Sequence, residues 1–500
     1  MNAQDQQTSR RLPRGGTLLA GLFAAHVVLK LALLPSVGHS PLVGDEASYV
    51  NGGMALSNLV RDLVGLGPVD TEELRRNLVA SGWFTPGMSV LLTPLFLVAP
   101  DAPILLVRVY LGVATSLLLL LAMLSVRRTF GDRYAALLLV FPGLVPMWLL
   151  FGYTAWGDLT AGLLAVVLVA HLVEIFRRIR SGVSFSVREG AWLGLVGVGV
   201  VYLRSPTTLL VGGMFVLVLL AVVLLLRSRE RVRGVVALGA AGAVFAVLLA
   251  PWSVLASASL DSRVITTTSV HNSRSNTFGE YDRICFGPCD PGSTIWFNPL
   301  RYSREVARAT GYGEVEVQAE MSAYAQANRT PESYARDVLR DFDNYGGNPA
   351  QYVAALMSEE DEGGPVFWFV GVATSVMFFV AVLFLLWALL LATRRSFDSQ
   401  ITSIMIKLAM AALLTQPFVH VSSGRYWTTA APVAALALGL FLQVRDERRL
   451  AVGVAHAHPV VESAADAPSA ATVHRGLFLV QLGLAGAAVV VALTVVLLAL

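Results

Sequence analysis

The sequence predicts an all-α polytopic membrane protein with about eleven transmembrane helices. The chain has 500 residues, of which 55% are hydrophobic and only 14% are charged. Its apolar residues occur in repeated blocks of about 20, which is the length that an α-helix needs to cross a bilayer. Short basic clusters separate these blocks. Such spacing is typical of a helical membrane bundle and not of a soluble core.

The individual spans follow from the lengths of the apolar blocks. A basic tail, 1–16, precedes a first block without a convincing cleavage site, so we expect an uncleaved helix with a cytoplasmic N-terminus. The block 87–99 corresponds to roughly 20 Å of helix against a hydrocarbon core of about 30 Å, and we expect it to dip into the membrane or lie beside it. The expected spans are 17–35, 103–126, 134–150, 155–176, 189–203, 207–226, 234–256, 366–393, 400–420, 427–444 and 476–500.

The charge distribution predicts the orientation of the bundle. The net charge is only +3, and the basic residues cluster between spans, which suits cytoplasmic membrane ends and not a nucleic-acid surface. Nucleic acid is therefore not an expected partner. Eleven spans place every cluster inside, and they place the loops 36–102 and 257–365 outside. The clusters are 127–133, 177–180, 227–233, 394–395 and 445–449.

The same topology divides the chain into a transmembrane domain over 17–445, a cytoplasmic linker over 446–475 and a last transmembrane helix over 476–500, which we expect to be peripheral to function. The large outer loop should be folded, because 314–326 and 331–339 have helical character. In this loop Cys285 and Cys289 flank a Phe-Gly-Pro turn. They can close a disulfide if the loop lies outside the cell.

A pair of adjacent carboxylates follows the first span in the stretch 44–49 (GDEASY). One interpretation is structural: Asp45 caps a helix that runs to about Val64, and Glu46 complements the dipole of its first turn. The functional interpretation is that Asp45 takes a proton from an acceptor hydroxyl while Glu46 binds a metal ion or sugar hydroxyls. Tyr49 shares the face of Asp45, where its phenol would position the carboxylate or join an interfacial aromatic belt.

Several motifs occur in an order that resembles the GT-C membrane glycosyltransferases of the protein mannosyltransferase and aminoarabinose transferase type. The resemblance covers most of 17–445, although Asp158 stands where that group leads us to expect Glu. The motifs are 44–49 (GDEASY), 82–87 (GWFTPG), 127–133 (RRTFGDR), 153–158 (YTAWGD), 251–252 (PW) followed by 266–269 (TTTS) and Asn276, and 424–427 (GRYW) with Pro432.

The resemblance implies an inverting transfer of a sugar from a polyprenyl-phosphate donor, which enters from the bilayer, to an acceptor hydroxyl on a protein, lipid or envelope glycan. The reaction would take place on the extracytoplasmic face of the plasma (inner) membrane. Such a displacement needs a base for the incoming hydroxyl and cations for the departing phosphate. Asp45 is the expected base and Glu46 the second candidate. No metal-ligand set is evident, and a divalent cation at Glu46 is left open.

Two arginines at predicted outer ends of spans, Arg204 and Arg425, are the candidates for binding the lipid phosphate. A guanidinium suits phosphate bidentately, although terminal arginines also extend to the interface without a partner. Asp158 would pair with one of these arginines or bind a sugar hydroxyl. Tyr426, in the Arg-Tyr motif, is included among the substrate-binding candidates.

Other functions and residues remain open at this stage. His39, His271 and His420 lie on the predicted outer side, where they would join the carboxylates or simply be polar loop residues. A transporter or flippase would also need many spans, but it should show repeated halves and charges near the bilayer midplane. The polar motifs here gather at predicted outer helix ends. A non-catalytic binder of a lipid-linked envelope precursor is a further alternative.

Overall fold

The computed structural model describes residues 14–80, 82–268, 298–327, 330–357, 363–418, 424–455 and 468–500. Within these ranges all regular secondary structure is helical. The predicted disulfide of Cys285 and Cys289 lies outside the described residues, as do His271 and His420.

The longer helices are numbered here in chain order. The first part of the chain contains α1 (Arg14–Gly38), α2 (Glu46–Val64), α3 (Gly87–Val98), α4 (Ile104–Phe130), α5 (Asp132–Val140), α6 (Pro146–Phe151), α7 (Asp158–Arg180), α8 (Val187–Leu203), α9 (Thr208–Leu225) and α10 (Ser228–Ser259). The second part contains α11 (Asn298–Thr310), α12 (Glu314–Ala327), α13 (Pro331–Tyr345), α14 (Pro365–Leu390), α15 (Phe397–Leu414), α16 (Trp427–Ala455) and α17 (Pro468–Ala499).

The predicted all-α membrane architecture is confirmed. Among the described residues, nine helices are long and apolar enough to cross a membrane, and each corresponds to a predicted span. The other two predicted spans are shorter. The block 134–150 divides into α5 and α6, because Pro142 has no amide hydrogen to continue the helix. The block 189–203 forms α8, whose 17 residues extend about 26 Å.

The basic clusters come together at one end of the bundle, which we call the arginine end and define by 127–133, 177–189, 227–233, 394–398 and 445–447. Arg133 pairs with Asp446, and Arg177 pairs with Asp398 at 3.0 Å. The Ser184 amide donates to Glu230 at 2.9 Å. Residues far apart in sequence therefore share one end of the bundle, as the predicted topology requires.

Local sequence signals explain where several helices begin. Ser186 and Glu189 form a reciprocal capping box at the start of α8, and Thr330 and Ser333 form another at the start of α13. Ser396 caps α15. Each cap satisfies amide groups that the first turn leaves without partners inside the helix.

The last helix reaches the helices of the large loop 257–365, which include the predicted helical stretches 314–326 and 331–339 as α12 and α13. Val495 of α17 is buried against Ala335 and Val338 of α13. In the segment between α14 and α15, the Thr393 amide donates to the Gln481 side chain of α17 at 3.2 Å. The last helix therefore contacts both the bundle and the folded part of the large loop, and its expected place at the periphery of function stays a prediction.

Helices α8 and α10 pack with their backbones in direct contact. Gly190 and Gly194 are one turn apart on α8 and face Ala237 and Ala241, which are fully buried on α10. A Cβ at either glycine would collide with the carbonyl oxygen of the facing alanine. Small residues at this spacing allow close helix association within lipid.

We therefore predict that Gly194→Val lowers the stability of the bundle by about 1–3 kcal/mol, the usual cost of overpacking. Thermal unfolding of the purified protein in detergent measures the effect. Gly239→Val is the matched control, because no atom lies within 4 Å of a Cβ at that position of α10. Equal destabilisation by both variants would show that helix propensity, and not the α8–α10 contact, is responsible.

Candidate functional site

Asp45 belongs to a cluster of charged residues at the end of the bundle opposite the arginine end. It occupies the N-cap position of α2, but its side chain accepts no capping hydrogen bond. Instead Oδ2 accepts from Nη2 of Arg425 at 2.9 Å. The Asp45 carboxylate therefore does not cap the helix. It forms an ion pair that joins the start of α2 to the turn before α16.

Asp158, the first residue of α7, lies within ion-pair distance of both arginines that the sequence predicted to bind phosphate. Its Oδ1 lies 3.1 Å from Nε of Arg204, and its Oδ2 lies 3.3 Å from Nε of Arg425. Asp158 is 1% exposed, whereas the Asp45 side chain is 22% exposed. The predicted ion pair thus involves both arginines, and the carboxylate that solvent reaches is Asp45.

Close backbone contacts bring these charges together. A Cβ at Gly157 would collide with the carbonyl of Leu203, the residue before Arg204. A Cβ at Gly162 would collide with the carbonyl of Thr429 in the first turn of α16. Glycine at these two positions, one just before α7 and one in its first turns, therefore sets the distance from Asp158 to the segments that carry Arg204 and Arg425.

Aromatic rings complete the surroundings of both guanidinium groups. The Arg204 guanidinium lies 3.9 Å from the ring centre of Tyr426, and that of Arg425 lies 4.8 Å from the ring centre of Trp156. Such contacts favour a cation where water is excluded. Tyr49 packs on Phe84 at 5.3 Å between ring centres. Burial, and to a smaller extent Asp45, raises the pKa of the Tyr49 phenol, which therefore stays protonated at neutral pH.

These residues enclose a cavity of about 60 Å³. Its lining includes Asp45, Tyr49, Arg204, Arg425, Tyr426 and Gln416. Gln416 is 2% exposed, and its amide nitrogen has no hydrogen-bond partner in the described structure. A ligand with an acceptor oxygen would satisfy this donor. The cavity is smaller than the roughly 300–1,000 Å³ of a typical ligand site, so a sugar phosphate needs the walls to move apart.

Glu46 has contacts unlike those of its neighbour. It is fully buried, and its oxygens accept from the backbone amides of Val43 at 2.9 Å and Ala155 at 2.7 Å. Both guanidinium amines of Arg108 also donate to it, one of them at 3.0 Å. The same two amines of Arg108 also donate to backbone carbonyls, including that of Tyr153 at 3.2 Å. The Glu46 carboxylate is thus surrounded by donors from this protein.

Arg108, Gln416 and the buried pair Lys30 and His26 were not among the residues chosen from the sequence. A signal existed for Arg108 and Lys30, because each is a single charge inside an apolar block, where a charge is costly without a partner. Lys30 donates to Thr115 at 2.6 Å, and His26 bonds the Gly143 carbonyl at 2.6 Å. No comparable signal marks Gln416.

The described residues contain no group of three or more His, Cys, Asp or Glu side chains arranged to hold a metal ion. His39 is exposed and does not line the cavity. The polar groups that line the cavity include a carboxylate, two guanidinium groups, two phenols and an amide.

Comparison with known proteins finds similarity at the level of structure. No protein-family profile and no curated protein sequence matches the chain. One similar structure is the oligosaccharyltransferase of Archaeoglobus fulgidus in complex with Zn and sulfate, at 14% identity over 94% of this chain and 52% of that chain, with a TM-score of 0.44. Another is ArnT from Cupriavidus metallidurans bound to undecaprenyl phosphate, at 14% identity over 88% and 81%, with a TM-score of 0.37.

The chain spans about half the length of the oligosaccharyltransferase structures that it matches. Both similar proteins are glycosyltransferases of the GT-C type, the group that the sequence motifs resemble.

The Glu46–Arg108 pair gives a prediction about stability. Arg108→Met should destabilise the protein by about 3–5 kcal/mol, because it leaves the Glu46 charge buried without its partner. Restoring neutrality in Arg108→Met/Glu46→Gln should recover part of this loss. Thermal unfolding in detergent measures both. As a control, Arg75→Met removes an ion pair whose side chains are more than half exposed and should leave stability nearly unchanged. A double variant no more stable than Arg108→Met would contradict the account.

Proposed function

We propose that this protein is a membrane glycosyltransferase that moves a sugar from a polyprenyl-phosphate donor to an acceptor hydroxyl, with inversion, on the extracytoplasmic face of the plasma membrane. The observation that carries the proposal is the pairing of a partly exposed carboxylate, Asp45, with Arg425 beside a second arginine, Arg204, at one cavity. A base and a phosphate-binding pair are the groups that this displacement requires.

In the proposed step the acceptor oxygen attacks the anomeric carbon, and the bond from that carbon to the donor phosphate breaks. Asp45 receives the proton of the acceptor hydroxyl. Arg204 and Arg425 stabilise the charge that the departing lipid phosphate acquires, with Tyr426 fixing the Arg204 guanidinium plane.

The ion pair between Asp45 and Arg425 gives the site a resting state. Two carboxylates, Asp45 and Asp158, neutralise two arginines before substrate binds. Of the two, Asp45 is the one that solvent reaches. We infer that the donor phosphate takes the place of Asp45 on Arg425 and thereby frees the carboxylate to act as a base. Asp158 stays buried and keeps both arginines charged and oriented.

Glu46 then has a positioning role in this proposal, in place of the direct role suggested by the sequence. Donors within the protein already surround its carboxylate. Its part is to fix the backbone next to Asp45. Tyr49, which lines the cavity as a protonated phenol, would donate to a sugar hydroxyl or to the phosphate.

The first test is Asp45→Asn, which preserves side-chain shape and removes the base. Transfer of radiolabelled sugar from polyprenyl-phosphate donors in membranes should fall by roughly 10²- to 10⁴-fold. Binding of undecaprenyl phosphate should persist or tighten, because Arg425 loses one of its two competing carboxylates and keeps only Asp158. Asp101→Asn, an exposed residue outside the cavity, is the matched control. Full transfer by Asp45→Asn would remove Asp45 from the mechanism.

A second test separates phosphate binding from chemistry. Arg204→Gln should weaken binding of undecaprenyl phosphate by roughly 10- to 100-fold, the worth of a charge-assisted hydrogen bond. Equilibrium binding to the purified protein measures this without any acceptor. Arg263→Gln alters an exposed arginine that does not line the cavity and should leave the affinity unchanged. Equal affinity in wild type and Arg204→Gln would assign Arg204 to fold maintenance.

A transporter or flippase for a lipid-linked envelope precursor is the alternative, together with a non-catalytic binder. The buried Lys30 and His26 inside α1 are the observation that favours a transporter, since ionisable groups within spans often mark a transport path. The transfer assay distinguishes the readings. Donor binding without transfer to any acceptor by the wild type would turn the assignment toward the alternative.

A further inference from the structure

A second, larger cavity lies at the arginine end of the bundle and has no part in the proposed reaction. It has a volume of about 1240 Å³ and is lined by α4, α7, α8, α10 and the segment between α7 and α8. From Asp158 at the start of α7 to Arg178 near its end, the helix extends about 30 Å. The polar rim of this cavity, near Arg178, is therefore separated from the Asp45 site by about the length of a membrane span.

The lining combines an apolar wall with a charged rim, and this combination suits an amphipathic ligand. Trp192, Leu195 and Val236 line the cavity with exposed fractions of 39%, 45% and 55%. In a bilayer these side chains face hydrocarbon. Toward the helix ends the lining becomes polar, with Arg128 from α4 and Arg188 from α8.

The charges at the rim do not cancel. The lining contains four arginines (Arg128, Arg178, Arg188 and Arg233) and three glutamates (Glu174, Glu189 and Glu230), an excess of one positive charge (4 − 3 = 1). Arg178 pairs with Glu189 at 2.7 Å, and Arg233 pairs with Glu230. Arg128 and Arg188 have no ion-pair partner among the described residues, and they approach the cavity from different helices.

We propose that this cavity binds an anionic glycerophospholipid from the leaflet at the arginine end. Its single phosphodiester charge matches the excess of one positive charge at the rim, and its acyl chains cover Trp192 and Leu195. Basic pockets between transmembrane helices are a recognised way to bind anionic headgroups. A polyprenyl phosphate carries a monoester phosphate of higher charge, and it is the competing occupant that the experiment must exclude.

The test uses the full-length protein in mild detergent and measures binding of phosphatidylglycerol by native mass spectrometry. Arg128→Gln/Arg188→Gln should weaken binding by roughly 30-fold, because each arginine close to an anionic lipid contributes about a fivefold factor. The matched control is Arg229→Gln/Arg449→Gln, which removes two exposed arginines from the same end without altering the cavity lining. The control should bind phosphatidylglycerol as the wild type does.

A second measurement locates the acyl chains. Phosphatidylglycerol with brominated chains should quench the fluorescence component that is lost in Trp192→Phe, and phosphatidylcholine with the same chains should quench it much less. Equal binding of the two lipids, equal loss in the control pair, or displacement of phosphatidylglycerol by undecaprenyl phosphate at equal concentration would each overturn the proposal. None of these readouts involves sugar transfer, so they stand apart from the proposed enzymatic function.

Discussion

The buried ion pair of Glu46 and Arg108 is the interaction on which the rest of the site depends. Through Glu46 it joins the loop after α1, at Val43, to the turn before α7, at Ala155, and through Arg108 it joins both to α4. Burying two charges in a membrane protein is costly unless the charges are paired and hydrogen-bonded. The geometry of Asp45 and Asp158, each close to one of these joined segments, follows from that requirement.

Burial separates acidic residues that look alike in sequence. Glu46 and Asp158 are almost fully buried and form ion pairs with arginines, whereas Asp45 is partly exposed at the cavity. A carboxylate that reacts has to change partners, and a carboxylate that fixes a fold must not. Glu46 and Asp158 therefore stabilise the structure, whereas Asp45 is able to exchange its partner. This difference fits the proposed reaction, which begins when a phosphate binds.

Much of the bundle could be predicted from the sequence, because span length and basic clusters reflect the bilayer directly. The break between α5 and α6 could have been anticipated from Pro142 in the block 134–150. The roles of Asp45 and Glu46 could not be separated, because they depend on amides from Val43 and Ala155, the second of which is distant in sequence. Gln416 could not be predicted for the same reason. Its neighbours in sequence carry no signal, and only its position at the cavity distinguishes it.

The contact between α17 and α13 has a consequence for biogenesis. Among the described helices α17 is made and inserted last, yet it covers Ala335 and Val338 on the helix that ends at Tyr345. Tyr345 packs against Trp427, two residues from Arg425. A nascent chain that has not yet inserted α17 thus leaves Ala335 and Val338 of α13 uncovered. The packing of α13 is therefore complete only after the last described helix has been inserted.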